Sequence, residues 1–219
     1  MNNDFLLRIK DVILCLSSAN AHQVSLGRLE MQKIIYLVDS MSAYLFVLSG
    51  NKAHKTYYYG PYDTNIQNAI DARLVRGFIN ASNIKISNDT ISCDYFLTKS
   101  GLIWKDKILN DFKSIKYRQQ IVNGILYSLV KRNLLNKVKD LVYAEPMYVE
   151  AKEHGYYFDL MFSPDNAGHS YLSLIEKYLK YDNNQIDIQF STDMYIDYLY
   201  LRCCKLSGEK EIEGFFDVV

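Results

Sequence analysis

The chain has 219 residues, of which 49% are hydrophobic and 23% are charged, and its 25 basic and 25 acidic residues leave no net charge at pH 7. This length suits one mid-sized domain or two small ones, and the composition excludes a disordered, collagen-like or simple coiled-coil protein. The charge balance gives no sign of a nucleic-acid partner, and no apolar run reaches the roughly 18 residues that a membrane span requires.

The first half of the chain predicts helices joined by short connections. Apolar residues at helical spacing indicate a helix over 5–19 and a second over 26–50, for which Ser25 is the expected N-cap. The aromatic run Lys55–Tyr62 that follows is strand-like and ends in a Gly-Pro turn. A third helix then covers residues 63–76.

A β-hairpin and a fourth helix complete this half. Residues 84–86 and 91–97 alternate between apolar and polar side chains on either side of the polar loop 87–90, which is typical of a hairpin. Thr98 is the expected cap of the next helix. The order helix, helix, strand, helix, hairpin predicts a winged helix-turn-helix domain over residues 1–112, with the third helix as the recognition helix and the loop as the wing tip.

The second half, residues 113–219, is predicted to be a mostly helical region that packs on the first. A long helix and a shorter one precede Glu145–Pro146, and this pair must end a helix because the residue before proline avoids the helical conformation. The further predicted elements are a helix over 171–181, a short strand over 186–190 and a final helix capped by Thr192 or Asp193. The predicted fold class is therefore mainly α (α+β), a winged-helix domain with a helical C-terminal extension.

Three motifs in the first half occur in a recognisable order. They read Leu29-Glu-Met-Gln-Lys-Ile-Ile-Tyr-Leu37, Tyr58-Tyr-Gly-Pro-Tyr62 and Leu74-Val-Arg-Gly-Phe-Ile79. Together they resemble the core of the Panacea antitoxin-domain family and of its YwgA-type winged-helix relatives, over residues 5–100. The resemblance implies a small prokaryotic winged-helix module that binds another protein, such as a toxin or an ATPase–nuclease defence complex. It brings no catalytic residues.

These motifs supply a candidate partner-binding surface. Gly60 allows the backbone to turn, Pro61 fixes φ before the third helix, and Tyr36 can direct its hydroxyl to a partner. The run from Tyr59 to Tyr62 is either a structural turn or a direct partner contact, and both interpretations stay open. The candidate partner-binding residues are Tyr36, Tyr59, Gly60, Pro61, Tyr62, Asn65, Gln67 and Arg73.

Charge is unevenly distributed along the chain. Residues 113–139 contain seven basic residues and no acidic one, whereas residues 140–219 contain 6 basic and 15 acidic ones. The basic segment either binds a polyanion such as nucleic acid, or faces the acidic half within the chain or across a dimer, or forms a solvated helix face. Its basic residues are Lys113, Lys116, Arg118, Lys131, Arg132, Lys137 and Lys139.

Two features of the expected recognition helix and wing argue against DNA readout. Asp63 stands at the end of the helix that would enter the major groove, where phosphates repel an acid, and the wing tip 87–90 carries an acid and no arginine. Asn65 and Gln67, in contrast, are side chains that can read adenine. A sequence-specific DNA-binding regulator therefore stays open as the alternative function.

Residue spacings typical of catalysis are missing from the sequence. It has no phosphate-binding glycine loop, no GxSxG and no HExxH motif. His154 and His169, with Asp159 and Asp165 between them, are the remaining arrangement for a metal-dependent hydrolase or nuclease, which is a remote alternative. We expect no catalytic residue, no metal and no cofactor.

The sequence thus predicts a non-enzymatic interaction module, an antitoxin-like or accessory subunit of a prokaryotic toxin–antitoxin or phage-defence system. Its first 19 residues interleave acids with apolar residues, unlike a secretory signal. Cys15, Cys93, Cys203 and Cys204 show neither a disulfide framework nor metal-ligand spacing. We therefore expect reduced thiols in a cytoplasmic protein without a membrane segment. Assembly into a homo-oligomer stays open.

Overall fold

The structure is a computed structural model and describes residues 3–45, 54–87, 90–111, 113–153, 155 and 187–208. Over these ranges the chain is mainly helical and contains one two-stranded antiparallel sheet. The elements in chain order are α1 (Asn3–Ala21), α2 (Arg28–Tyr44), α3 (Thr64–Val75), β1 (Ile79–Ser87), β2 (Thr90–Leu97), α4 (Lys99–Asp111), α5 (Lys113–Lys131), a 3-10 turn (Leu135–Lys137), α6 (Val138–Ala144), α7 (Pro146–Glu153) and α8 (Ile188–Ser207). The helix predicted over 171–181 and the residues His154, Asp159, Asp165 and His169 lie outside the described residues.

The first two helices confirm the helical periodicity of the sequence. α1 buries its predicted apolar face, including Ile9, Val12 and Ile13. α2 ends at Tyr44, earlier than the predicted end at residue 50. It is the central helix of the fold, because every residue from Met31 to Tyr44 is buried and it contacts α1, α5 and α6.

The start of α2 differs from the prediction of Ser25 as its N-cap, which is wrong. The N-cap is Gly27, whose backbone N–H donates to the carboxylate of Glu30 at 3.1 Å. The helix begins later because Leu26 is held in an extended bridge to β2, where its carbonyl accepts from the N–H of Tyr95 at 3.0 Å.

The aromatic run between α2 and α3 does not join the sheet, so its interpretation as a strand is wrong. Lys55 and Tyr62 form an isolated bridge with each other, through two backbone hydrogen bonds of 3.0 Å, and the chain between them turns through Gly60. The extended residue beside β2 is Leu26, which precedes α2. The third helix follows as predicted, with the Asp63 carboxylate accepting from the N–H of Asn65 at 2.8 Å.

The predicted hairpin is confirmed, with β1 beginning at Ile79. Its strands pair in register from Ile79 opposite Leu97 to Ser87 opposite Thr90, with a shift between Ser82 and Lys85. Ile79 and Tyr95 bury the base of the hairpin against the core. The outer part carries the exposed apolar side chains Ile84, Ile86 and Ile91.

The second half confirms the predicted end of a helix at Glu145, where α6 has its C-cap. Pro146 then begins α7, a helix that the sequence analysis missed, because proline fits the first helical turn. The predicted strand over 186–190 is wrong where the structure describes it, since α8 begins at Ile188. Asp187 is its N-cap and accepts from the N–H of Phe190 at 3.0 Å. An alternation of only three apolar residues is too short to distinguish a strand from the first turn of a helix.

Helices of the two halves pack against each other. α5 contacts α1, α2 and α8, and α6 contacts α2 and α8. No helix in the described ranges combines the length and apolar character that crossing a bilayer requires. α5 lies close to α8 at Gly124, where an added Cβ would meet the side chain of Thr192.

Gly124→Ala should lower the free energy of unfolding by about 1–3 kcal/mol, because the new methyl group overpacks the α5–α8 contact. Urea unfolding measures this loss. Asn123→Ala, on the half-buried neighbouring position, is the control and should change stability far less. Thr192→Ala should restore part of the loss in the double variant, and additive effects of the two changes would contradict the contact.

Candidate functional site

A cluster of charged side chains lies in the interior beneath the turn that connects α2 to α3. Arg8 on α1 is fully buried and donates to three carboxylates: to Asp63 through Nε at 2.5 Å, to Asp11 at 2.8 Å and to Asp39 at 2.6 Å. These aspartates belong to the start of α3, to α1 and to α2. One guanidinium therefore fixes three segments of the chain relative to each other.

Arg118 on α5 extends this cluster into the second half. Its guanidinium donates to both oxygens of Asp11, at 2.5 and 2.8 Å, and to Asp39 at 2.5 Å. Arg8, Asp11, Asp39, Asp63 and Arg118 form what we call the buried charge network.

The two arginines of the network keep the Asp39 carboxylate ionised. Burial alone would raise the pKa of Asp39, but Arg8 and Arg118 hold it well below its usual range. Burial lowers the pKa of His54, whose Nε2 lies 2.9 Å from the Asp39 carboxylate and 3.3 Å from a nitrogen of Arg8. A proton added to the network is therefore unfavourable on either Asp39 or His54 at neutral pH.

Asp63 connects the buried charge network to the start of α3 and to Gln32. Its carboxylate binds Arg8 and caps α3, while the Gln32 side chain donates to its backbone carbonyl at 2.9 Å and accepts from its N–H at 3.0 Å. The argument that Asp63 would repel DNA phosphates is therefore wrong, because this carboxylate is buried and neutralised by an arginine.

The turn before Asp63 depends on a glycine and a lysine. Gly60 has φ of +92°, a left-handed conformation that favours glycine, and a Cβ there would meet Lys33 and Tyr143. The ammonium of Lys33 donates to the carbonyl of Pro61 at 3.0 Å. The Gln-Lys and Gly-Pro motifs of the sequence therefore meet directly in the structure.

These residues form a surface pocket between α2, α3 and the turn, which we call the motif pocket. Its volume of about 260 Å³ is below the roughly 300 Å³ at which sites for drug-sized ligands begin, so it suits a single side chain. None of its lining residues is acidic. They are Arg28, Leu29, Gln32, Lys33, Tyr57, Tyr59, Gly60, Tyr62 and Gln67.

Lys33 is a buried cation in the lining of the motif pocket. The residue is only 2% exposed, and no ion pair among the described residues includes it. Burial, with a smaller contribution from nearby Lys139, lowers its pKa from 10.5 to about 8. The folded protein thus holds a buried ammonium that a carboxylate would stabilise.

A further buried acid outside the network, Glu145, lies where α6 meets α7. Its carboxylate accepts from the hydroxyls of Tyr36 at 2.5 Å and Tyr44 at 3.0 Å, and from the backbone N–H of Tyr148 at 2.9 Å. Burial raises the pKa of Glu145 and that of Tyr36. The interpretation of Tyr36 as a partner contact is therefore wrong, because its hydroxyl is used inside the protein.

The other predicted partner residues divide between the pocket and the interior. Tyr59, Gly60, Tyr62 and Gln67 line the motif pocket. Pro61 is buried, and its carbonyl accepts from Lys33. The structure does not bring the remaining two into this pocket: Asn65 follows the cap of α3, and Arg73 is buried over the rings of Phe78 and Trp104, which makes Arg73 unsuitable as a surface contact.

The seven basic residues do not form one surface. Arg118 is buried in the charge network, and Arg132 pairs with Asp193 and Asp197 of the acidic half, at 2.9 and 2.5 Å. Lys137 and Lys139 lie over tyrosine rings. Lys116 and Lys131 are exposed, and the side chain of Lys113 lies outside the described residues. Arg118 and Arg132 are therefore unavailable to a polyanion.

The sequence analysis missed the buried charge network. Arg8 and Asp11 stand among the apolar residues Ile9 and Val12 on the predicted inner face of α1, and this interruption of an apolar face is the signal that could have revealed them. The partners Asp39 and Arg118 are far away in sequence, and nothing in the spacing indicates that they meet.

No group of three or more potential metal ligands occurs among the described residues. The four cysteines are free thiols. No family model matches the chain, and no curated protein matches it. The motif pocket, with the network beneath it, is the candidate functional site of the described residues.

Arg118→Met should lower the free energy of unfolding by about 3–5 kcal/mol, because it leaves Asp11 and Asp39 buried with one guanidinium between them. Arg132→Met is the matched control from the same helix region. It breaks partly exposed pairs and should cost about 1 kcal/mol or less. Urea unfolding compares the two, and equal losses would contradict the proposed importance of the network.

Lys33→Met should stabilise the protein at pH 7. The lowered pKa of Lys33 corresponds to a folding penalty of ~3 kcal/mol, which the variant removes. The variant also loses the hydrogen bond to Pro61, which offsets about 1 kcal/mol of this gain. The penalty is complete below pH 8 and disappears as pH rises from 8 to 10.5, where the unfolded chain also loses the proton. Unfolding of both proteins at pH 7 and 10 measures this. The exposed Lys116→Met should change stability little at either pH, and a stabilisation by Lys33→Met that grows with pH would contradict the assignment.

Proposed function

We propose that the chain is a non-enzymatic protein-interaction module with a winged-helix first half. It acts in the cytoplasm as an antitoxin-like or accessory subunit of a prokaryotic multi-protein system. The observation that carries this proposal is the motif pocket, because the residues of two separate sequence motifs, Gln32-Lys33 and Tyr59-Gly60-Pro61-Tyr62, come together there at the surface.

The arrangement of the first half supports a winged helix in a form that differs from the sequence argument. The extended residue beside β2 is Leu26, between α1 and α2, and the sheet-forming hairpin follows α3. The bridge of Leu26 to Tyr95 therefore adds an extended segment to the hairpin from an earlier point in the chain than the sequence predicts. The run Lys55–Tyr62 is then free to form the pocket instead of a strand.

The rim of the motif pocket supports protein binding. Leu29, Tyr58 and Tyr59 are exposed beside it, at 46%, 60% and 65%. Tyrosine is enriched among the residues that contribute most of the binding energy at protein interfaces. Its side chain supplies a large contact area and loses little conformational entropy on binding. A pocket of one side chain's size with an apolar rim is the usual form of an anchor site for a partner.

DNA binding remains a second candidate because of one surface of α5. Lys116, Tyr127 and Lys131 are exposed on it, and the ammonium of Lys131 lies 5.8 Å from the centre of the Tyr127 ring. Basic and aromatic side chains together suit a nucleic acid. Against this, the hairpin that would serve as the wing exposes isoleucines such as Ile86, which is 79% exposed and gives phosphates nothing to bind.

The proposal predicts that a product of a neighbouring gene binds the chain through the motif pocket. Tyr59→Ala should weaken that complex at least tenfold, measured by calorimetry with the purified partner. Tyr117→Ala is the matched control, because Tyr117 is a tyrosine of similar exposure (58% against 65%) on α5. It should leave the affinity unchanged.

Duplex DNA tests the second candidate in the same preparations. We expect no retardation at physiological salt. Binding with a log–log salt slope near −3 or steeper, lost in Lys116→Glu/Lys131→Glu and unaffected by Tyr59→Ala, would contradict the interaction-module proposal and favour a DNA-binding regulator.

A further inference from the structure

We propose that the motif pocket binds a carboxylate of the partner that has an apolar or aromatic group next to it, with the ammonium of Lys33 as its counter-ion. This inference rests on the proposed function and adds the chemistry of the ligand. The carboxylate is either an acidic side chain next to an apolar residue or a chain terminus, and the chemistry at Lys33 is the same for both.

The hydrogen bonds of Lys33 leave room for such a ligand. An ammonium has three donors, and the structure gives Lys33 one acceptor, the carbonyl of Pro61 at 3.0 Å. Among the described residues, Lys139 is the charged group that acts on it and Arg28 is a further cation in the pocket lining, so the described lining supplies cations and phenols and no carboxylate. A ligand carboxylate therefore meets a positive, uncompensated site.

The arginine and the two glutamines of the pocket already have partners. Arg28 donates to Asp71 and to the hydroxyl of Tyr95, both at 2.6 Å. Gln32 is bonded to the backbone of Asp63 through both ends of its amide, and Gln67 donates to Asp71 at 3.0 Å. Lys33 is thus the group best placed to make a new strong hydrogen bond, and the absence of a side chain at Gly60 is what lets the Lys33 ammonium lie against the turn.

The remaining walls select the body of the ligand. Leu29 and the rings of Tyr57 and Tyr62 make most of the surface apolar. A phosphate has three strongly hydrated oxygens that need several donors, and the guanidinium of Arg28 already donates through its Nε and one terminal nitrogen to Tyr95 and Asp71. A carboxylate needs fewer donors, and an apolar group attached to it gains from burial against these walls.

The test uses the full chain labelled with ¹³Cε-lysine and two pairs of probes, each consisting of an acid and its neutral amide. N-acetyl-phenylalanyl-glutamate amide carries a side-chain carboxylate, and N-acetyl-phenylalanyl-glutamine amide is its neutral match. N-acetyl-phenylalanine and its amide form the same comparison for a terminal carboxylate. We expect each acid to bind at least tenfold more tightly than its neutral partner at pH 7 and to shift the Lys33 signal.

Two further measurements assign the effect to Lys33. Affinity for the acids should fall roughly tenfold between pH 7 and pH 9. The reason is that the Lys33 ammonium of the free protein loses its proton with a pKa of about 8, whereas in the complex the ligand carboxylate keeps Lys33 protonated. In Lys33→Met the acid and the neutral probe should bind alike. Lys139→Met, which removes the neighbouring cation, should keep at least most of the preference for the acid.

Equal binding of acid and neutral probe to the wild-type chain, or binding of neither, would overturn the inference, and this comparison needs no variant to fold. A tenfold preference that survives in Lys33→Met would overturn it as well. Either result would leave Tyr59-dependent partner binding, and thus the proposed function, intact. A preference for the acids without any Tyr59-dependent partner would instead overturn the proposed function while the carboxylate site stands.

Discussion

Two arginines and three aspartates share the dry centre of this protein, and the rest of the structure depends on their pairing. Removing a charge from water costs several kcal/mol even after relaxation, so each of these groups has to meet its partners closely. Arg8 joins α1, α2 and the start of α3, and Arg118 joins α5 to the first two. Apolar packing alone tolerates shifts between helices, whereas charged hydrogen bonds of this kind select one arrangement.

The same pairing explains why the surface pocket has a defined shape. Asp63 is bound by Arg8 below and by Gln32 beside it, and the turn that leads into it is held through Pro61 by Lys33. The walls of the pocket are therefore positioned by the interior before any partner arrives, which lowers the entropic cost of binding. Lys33 is the exception to the pairing rule, since it is buried as a cation that meets no acid among the described residues, and this imbalance is what a ligand would correct.

Local patterns made most of the elements predictable, while contacts distant in sequence did not follow from them. The helical spacing of α1, the cap at Asp63 and the alternation of the hairpin are each encoded within a few residues, and the structure confirms them. Arg118 is predicted to bind a polyanion, to face the acidic half or to lie on a solvated helix face, because a run of like charges carries no information about burial. Its role depends on acids about 80 and 107 positions away. The pocket was half predicted, since the Gly60-Pro61 turn was identified but its contact with Lys33 was not.

The central claim is that the buried charge network holds the motif pocket in place. Native-state hydrogen exchange of wild type and Arg8→Met tests it most directly, because it reports local opening segment by segment. The account predicts that the variant loses protection first at the start of α3 and in the turn around Gly60, while the amides of α6 and α8 keep protection that differs from wild type only through global stability. A uniform loss in every helix, with the start of α3 no more affected than α8, would contradict the account.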